Sequence, residues 1–316
     1  MADRSDDFSL TLPILVFPIE RKPKLALIIV STFIFLSLLV ATATSLVLRF
    51  FQKHITESAA PIPESEAGGV AVIINLLYLL FAVILVTLLL ILLIRYGKIT
   101  FMKIMILSLM SYMIFTFTLY MGFLTSAYLL IAIAGALDLN LPFFIVDVLY
   151  YTMMIIAIVF IAIYIISAFK GRFILARNII LTLNVTWLGV WMSWNMGELT
   201  PIALLIGFAL YDLYSVFRGP LKQLAETLKR NIVSSEGESK SGFGLGLGDI
   251  FFYSFAVGYS FAVLNPLETF AISIILLGGV LITIFLLFRS RAEALPALPI
   301  PVLSAVVLIL IFKYLV

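Results

Sequence analysis

Residues 70–94 read VAVIINLLYLLFAVILVTLLLILLI, an apolar run interrupted only by Asn75 and Thr87 and with no charge anywhere in it. A helix rises 1.5 Å per residue and a bilayer core is ~30 Å thick, so a run of this length reads as a membrane span. On either side, eight further apolar runs meet or nearly meet the same requirement, at about 25–48, 104–134, 143–166, 173–194, 200–217, 243–264, 267–288 and 296–315. Composition agrees: 63% of residues are hydrophobic and 12% charged, which leaves too little polar surface to cover a water-soluble globule. The expected fold is an all-α integral membrane protein, a bundle of nine transmembrane helices. It divides into a cytoplasmic or interfacial tail (1–24), spans one to six (25–217), a cytoplasmic loop (218–242) and spans seven to nine (243–316).

Lysine and arginine set the direction of threading, because short cytoplasmic loops retain positive charge. With nine spans, seventeen of the twenty basic residues fall on one side, and only Arg49, Lys53 and Lys313 on the other. The reading is therefore an N-terminus in the cytoplasm and a C-terminus outside, in the plasma membrane. The segment 8–19 is too short and too broken by Pro13 and Pro18 to span, and the acidic residues before it are wrong for a signal peptide, so it reads as interfacial. Within the 218–242 loop, Leu221, Leu224, Ala225, Leu228 and Ile232 recur at helical spacing opposite Lys222, Glu226, Lys229 and Arg230. That pattern predicts a short helix on the membrane surface, followed by a Ser/Gly/Glu-rich flexible linker over 233–242.

A net charge of +3 is too small to argue for nucleic acid, and the lone histidine, His54, sits in a polar loop. With no cysteine and one loop histidine, neither a zinc site nor a Ser-His nucleophile can be assembled in a span, and no metal or cofactor is expected. Carboxylates are what remain. A carboxylate at membrane depth costs several kcal/mol unless it is paired, solvated or functional. Asp147 lies near the outer end of span four, where interfacial water reaches it. Asp212 and Asp249 differ: six residues separate Asp212 from Arg218 at the end of span six, and seven separate Asp249 from Gly242 at the start of span seven. Two antiparallel neighbours thus bring both acids to the same depth, ~9–10 Å from the cytoplasmic end. Facing each other, they cannot both ionise, and a shared proton suits the activation of a water against a peptide carbonyl. Paired intramembrane carboxylates also serve proton-coupled transporters, which are the alternative reading.

Glycine alternates at 242, 244, 246 and 248 before Asp249, and 295–301 reads LPALPIP. Both segments oppose regular helix, one through backbone freedom and the other through missing N–H donors. Irregular backbone survives at membrane depth only where it is buried or lines a cavity, so both segments are expected to border the site of the two acids.

Tyr211-Asp212, Gly246-Leu247-Gly248-Asp249 and Pro296-Ala297-Leu298 resemble the YD, GLGD and PAL motifs of the presenilin and signal peptide peptidase aspartyl proteases. Further matches at 219–221, 226–227, 230–231 and 252–254, together with the orientation, look like presenilin, and the compact chain like its prokaryotic, archaeal homologues. The resemblance implies an intramembrane-cleaving aspartic endopeptidase with Asp212 and Asp249 as its dyad. It also implies a site shaped by Tyr211, Gly246, Leu247, Gly248, Leu295, Pro296, Ala297 and Leu298. Its partners would be the bilayer and transmembrane-helix substrates. The short segment between spans six and seven and the end at Val316 lead to the expectation that it works uncut and without accessory subunits.

Overall fold

A computed structural model describes residues 14–17, 23–51, 61–137, 142, 144–217, 243–290 and 296–315. Among them are nine helices: α1 (Pro23–Phe51), α2 (Glu64–Arg95), α3 (Ile99–Ala136), α4 (Phe144–Lys170), α5 (Ile174–Trp194), α6 (Thr200–Phe217), α7 (Leu247–Val263), α8 (Pro266–Ser290) and α9 (Pro299–Tyr314). Two strands, β1 (Ile14–Phe17) and β2 (Phe243–Gly246), accompany them. The nine helices fall on the nine expected spans. The surface helix and linker expected between 218 and 242 lie outside the described residues.

Six of the helices (α1 to α5 and α8) are long and apolar enough to cross a membrane, whereas α6, α7 and α9 are shorter apolar helices. The protein is a multi-pass integral membrane protein. The short helices are those that carry the motifs: at 17 residues α7 is ~26 Å long, and at 16 residues α9 is ~24 Å, each less than the hydrocarbon thickness. What replaces their missing first turns is β2 in one case and residues 296–298 in the other.

The bundle is built around α5 and α7, which are buried along most of their length. Lipid is as apolar as a leucine side chain, so helices in a membrane associate through close packing of small residues rather than by the hydrophobic effect. Gly189 and Ser193 on α5 meet Ser254 and Gly258 on α7, so that each glycine faces the other helix's serine. A Cβ on Gly189 would lie 2.6 Å from the Phe251 carbonyl oxygen, and one on Gly258 would lie 3.0 Å from Val190 Cα. Around this pair, α1 packs against α5 and α7, α2 against α6, and α9 against both α6 and α8. The outward faces of α2, α3 and α4 present Leu, Ile and Phe, such as Leu77, Phe81, Leu109 and Ile155, as a lipid-facing surface should.

Polar contacts pin the ends opposite the motifs. The Glu64 carboxylate accepts hydrogen bonds from the backbone N–H groups of Leu199 (3.0 Å) and Thr200 (2.6 Å), capping the start of α6. Arg49 donates to the Leu264 carbonyl at the end of α7 (3.0 Å), and Lys313 pairs with Glu198 (3.0 Å). Two of the three basic residues that stand against the charge rule thus have structural partners. Asp147 is exposed in the first turn of α4, where a helix N-terminus favours an anion.

Two features go beyond the sequence reading. Residues 14–17, read as part of an interfacial segment, form a strand paired antiparallel with β2, Ile14 opposite Gly246 and Phe17 opposite Phe243. Arg177, one of the seventeen basic residues of the cytoplasmic side, lies in the first turns of α5 and is buried, its guanidinium against Asn178 (3.5 Å).

Candidate active site

Asp212 lies on α6 about a turn and a half before its end, and Asp249 is the third residue of α7. Because the two helices run in opposite directions, both acids reach one end of the bundle, and both line the same cavity of about 520 Å³. They are close enough for their charges to interact.

Each carboxyl is held by backbone at the start of a helix. Asp212 Oδ2 accepts a hydrogen bond from the Leu298 N–H (3.0 Å), and the Ala297 N–H also points at this carboxyl. Leu298 is the cap of α9, whose first and third residues, Pro299 and Pro301, have no N–H to offer. Proline thus removes donors that a helix start would leave unsatisfied, and those just upstream go to Asp212. Asp249 is held within its own helix: Gly246, the extended cap residue (φ −66°, ψ 134°), turns its N–H to the Asp249 carboxyl, which is half of a capping box.

That geometry explains the glycine at 246. A Cβ at Gly246 would stand 2.8 Å from Asp249 Oδ2, whereas one at Gly248 would meet nothing within 4 Å. Gly246→Ala is therefore expected to displace the Asp249 carboxyl rather than unfold the bundle. A displacement of this kind costs on the order of 100-fold in turnover, with an unchanged melting temperature as the check.

Of the other expected site residues, Tyr211, Gly248 and Leu298 line the cavity. Leu247 is buried, two residues before Asp249 in the chain, and Pro296 is buried next to Ala297. Leu295 lies outside the described residues. Apart from Thr87 and Ser215 the remaining walls are apolar, and include Leu79, Ala82 and Val83 of α2, Phe208 of α6 and Phe251, Phe252 and Phe255 of α7. Phe208 and Phe252 stack with centroids 4.6 Å apart.

Tyr253 falls in the matched stretch 252–254, but the sequence reading gave it no role in the site. Its hydroxyl donates to the Ala297 carbonyl (2.9 Å), and it lies one helical turn beyond Asp249 on the same face of α7. It ties α7 to the proline segment just where that segment grips Asp212. The (i, i+4) spacing from Asp249 was the available signal. Tyr253→Phe removes this hydrogen bond to a part-buried carbonyl at a cost of about 1 kcal/mol, and the expected result is a lower melting temperature with weakened cleavage. Unchanged values for both would remove this tie from the site.

The fold and the site together define a multi-pass membrane protein in which two acids from antiparallel helices open on one apolar cavity. A family model described as Presenilin matches residues 229–316, which include β2, α7, α8 and α9. Among solved structures, the chain resembles that of a presenilin family intramembrane aspartate protease, with 19% sequence identity, a TM-score of 0.56, and coverage of 92% of this chain and 99% of that one. At that identity the likeness establishes the fold. The likeness to the presenilin family is thus a sequence match over residues 229–316 and a shared fold over most of the chain. No curated protein matches it by sequence.

Proposed function

We propose that this chain is an intramembrane aspartyl protease that hydrolyses peptide bonds within single transmembrane helices, with Asp212 and Asp249 as its dyad. The observation that carries the reading is that both carboxyls border one apolar cavity while each is positioned by backbone N–H groups. In the reaction, one carboxylate takes a proton from a water lying between the two acids, and that water attacks the scissile carbonyl. The protonated partner hydrogen-bonds the developing oxyanion; the roles then reverse, so that the leaving nitrogen departs as a neutral amine. The apolar, aromatic walls suit a substrate helix unwound only at the cut, since its side chains stay in a lipid-like medium.

The dyad would lie near the cytoplasmic face, with the N-terminus on that side and the C-terminus outside, in the plasma membrane. As the chain has no cysteine, Lys98→Cys and Leu315→Cys each introduce a unique label, and the two are expected to react from opposite sides of sealed vesicles. The activity itself is tested with the purified chain alone in lipid and a transmembrane peptide. Cleavage with a bell-shaped pH profile is the expected outcome, because the dyad must carry one proton. Cleavage that appears only after other subunits are added would refute independent action, and no cleavage under either condition would refute the protease reading.

A further inference from the structure

The glycine run ahead of Asp249 should not be ordered by itself. Gly242, Gly244 and Gly246 give this stretch more backbone freedom to lose than any other residue type would. Yet Phe243–Gly246 is a regular strand, and its last residue is the cap whose N–H meets the Asp249 carboxyl. The order must come from a partner, and the partner is β1, paired residue for residue over Ile14–Phe17. Its sequence suits the task. Ile, Leu, Val and Phe favour extended backbone, and Pro13 and Pro18 flank the four residues and set their length. A lone two-stranded ribbon is marginal, but β1 also packs on α5, the best-buried of the long spans, which anchors the pair to the rigid centre of the bundle.

We propose that Ile14–Phe17 is a positioning segment of the active site: by pairing with Phe243–Gly246 it holds the extended backbone that places Gly246, and through it the Asp249 carboxyl. The proposal rests on the protease reading above and extends the site to the N-terminal segment of the chain. Its physical content is that β1 removes conformational entropy from the glycine run before substrate arrives. Without it, α7 would remain packed on α5 through Gly189 and Gly258, but its first turn would wander and Asp249 with it.

The test uses the full chain carrying Leu15→Pro or Val16→Pro. Hydrogen-bonded and non-bonded pairs alternate along an antiparallel ladder, so one of these two positions must supply an N–H that proline removes. Three readouts apply: kcat and KM on a transmembrane peptide, amide exchange over 243–250, and the effect of adding a peptide of residues 9–20. The expected result in the sensitive variant is faster exchange in β2 and the first turn of α7. With it comes a fall in kcat on the order of 100-fold, little change in KM and partial recovery with the peptide. Turnover that rises would mean that β1 blocks the site, and a loss confined to KM would make it a substrate-binding edge; either overturns the proposal. So would unchanged exchange in both variants, or normal kcat despite faster exchange. Failure of the protease reading shows separately, as no cleavage by the unsubstituted chain, and the exchange at 247–250 still decides whether β1 positions Asp249.

Discussion

Asp212→Asn and Asp249→Asn, each made alone, are expected to yield a folded bundle that cleaves at least about 10⁴-fold more slowly than the unsubstituted chain. Members of a unit that acts together are not additive, and removing one forfeits most of the gain. An amide cannot take the proton from water, and it cannot exchange roles with a carboxyl during the second half of the reaction. Folding should survive because the exchange is isosteric. In the Asp212→Asn variant the side-chain amide oxygen can still accept from the Leu298 N–H, and burying an amide is less costly than burying a carboxylate. The melting temperature is therefore expected to stay or rise while single-turnover cleavage disappears. Residual cleavage within tenfold of the unsubstituted rate in either variant would remove that acid from the dyad. A flux assay adds a second arm, since proton or solute transport retained in both variants would point to a different kind of membrane protein.

Gly189→Leu and Gly258→Leu are expected to have the largest effects on stability. At both positions even a first carbon meets backbone of the facing helix: the Phe251 carbonyl and the Phe255 nitrogen in one case, Val190 Cα in the other. A flexible side chain can turn aside, but the axis of a neighbouring helix can only move away as a whole. Overpacking costs typically 1–3 kcal/mol for small intrusions, and a leucine between two helix backbones should exceed that range. The measurement is thermal unfolding in detergent. Gly258→Ala with Ser193→Ala separates the causes: it removes the hydroxyl that the new carbon would strike but leaves Val190 in place, so recovery should be partial. Full recovery would mean that the serine alone sets the spacing. Gly248→Ala, whose added carbon points into open space, should leave the melting temperature unchanged. Because α7 carries Asp249, any shift of α7 from α5 is also expected to reduce cleavage.

Much of this site is legible before folding. The nine helices answer to hydrophobic length, the level placement of Asp212 and Asp249 follows from counting along antiparallel spans, and the Gly and Pro segments announce irregular backbone. Other features leave no such trace. A four-residue strand has no periodicity to set it apart from an interfacial stretch, so β1 reads as amphiphilic chain until its partner more than two hundred residues away is seen. Arg177 counts in sequence only as one more basic residue near the end of a span, because burial of a first-turn arginine depends on which helices surround it. Glu64 looks like a loop acid, and only the approach of Leu199 and Thr200 turns it into a helix cap.

Residue order alone is enough to say that lipid is the solvent, where the nine apolar helices fall, and which two acids stand at the facing ends of antiparallel neighbours. These are sums and distances along one segment, and bilayer thickness converts them directly into structure. What each acid touches is set by the packed bundle instead: Asp212 takes its donors from a segment 86 residues away, and Asp249 is capped by the last residue of a strand whose partner is the N-terminal segment. In a medium where every helix face is equally at home, hydrophobicity cannot choose neighbours. That choice falls to small residues, caps and strand pairing, whose partners are settled only when the helices meet.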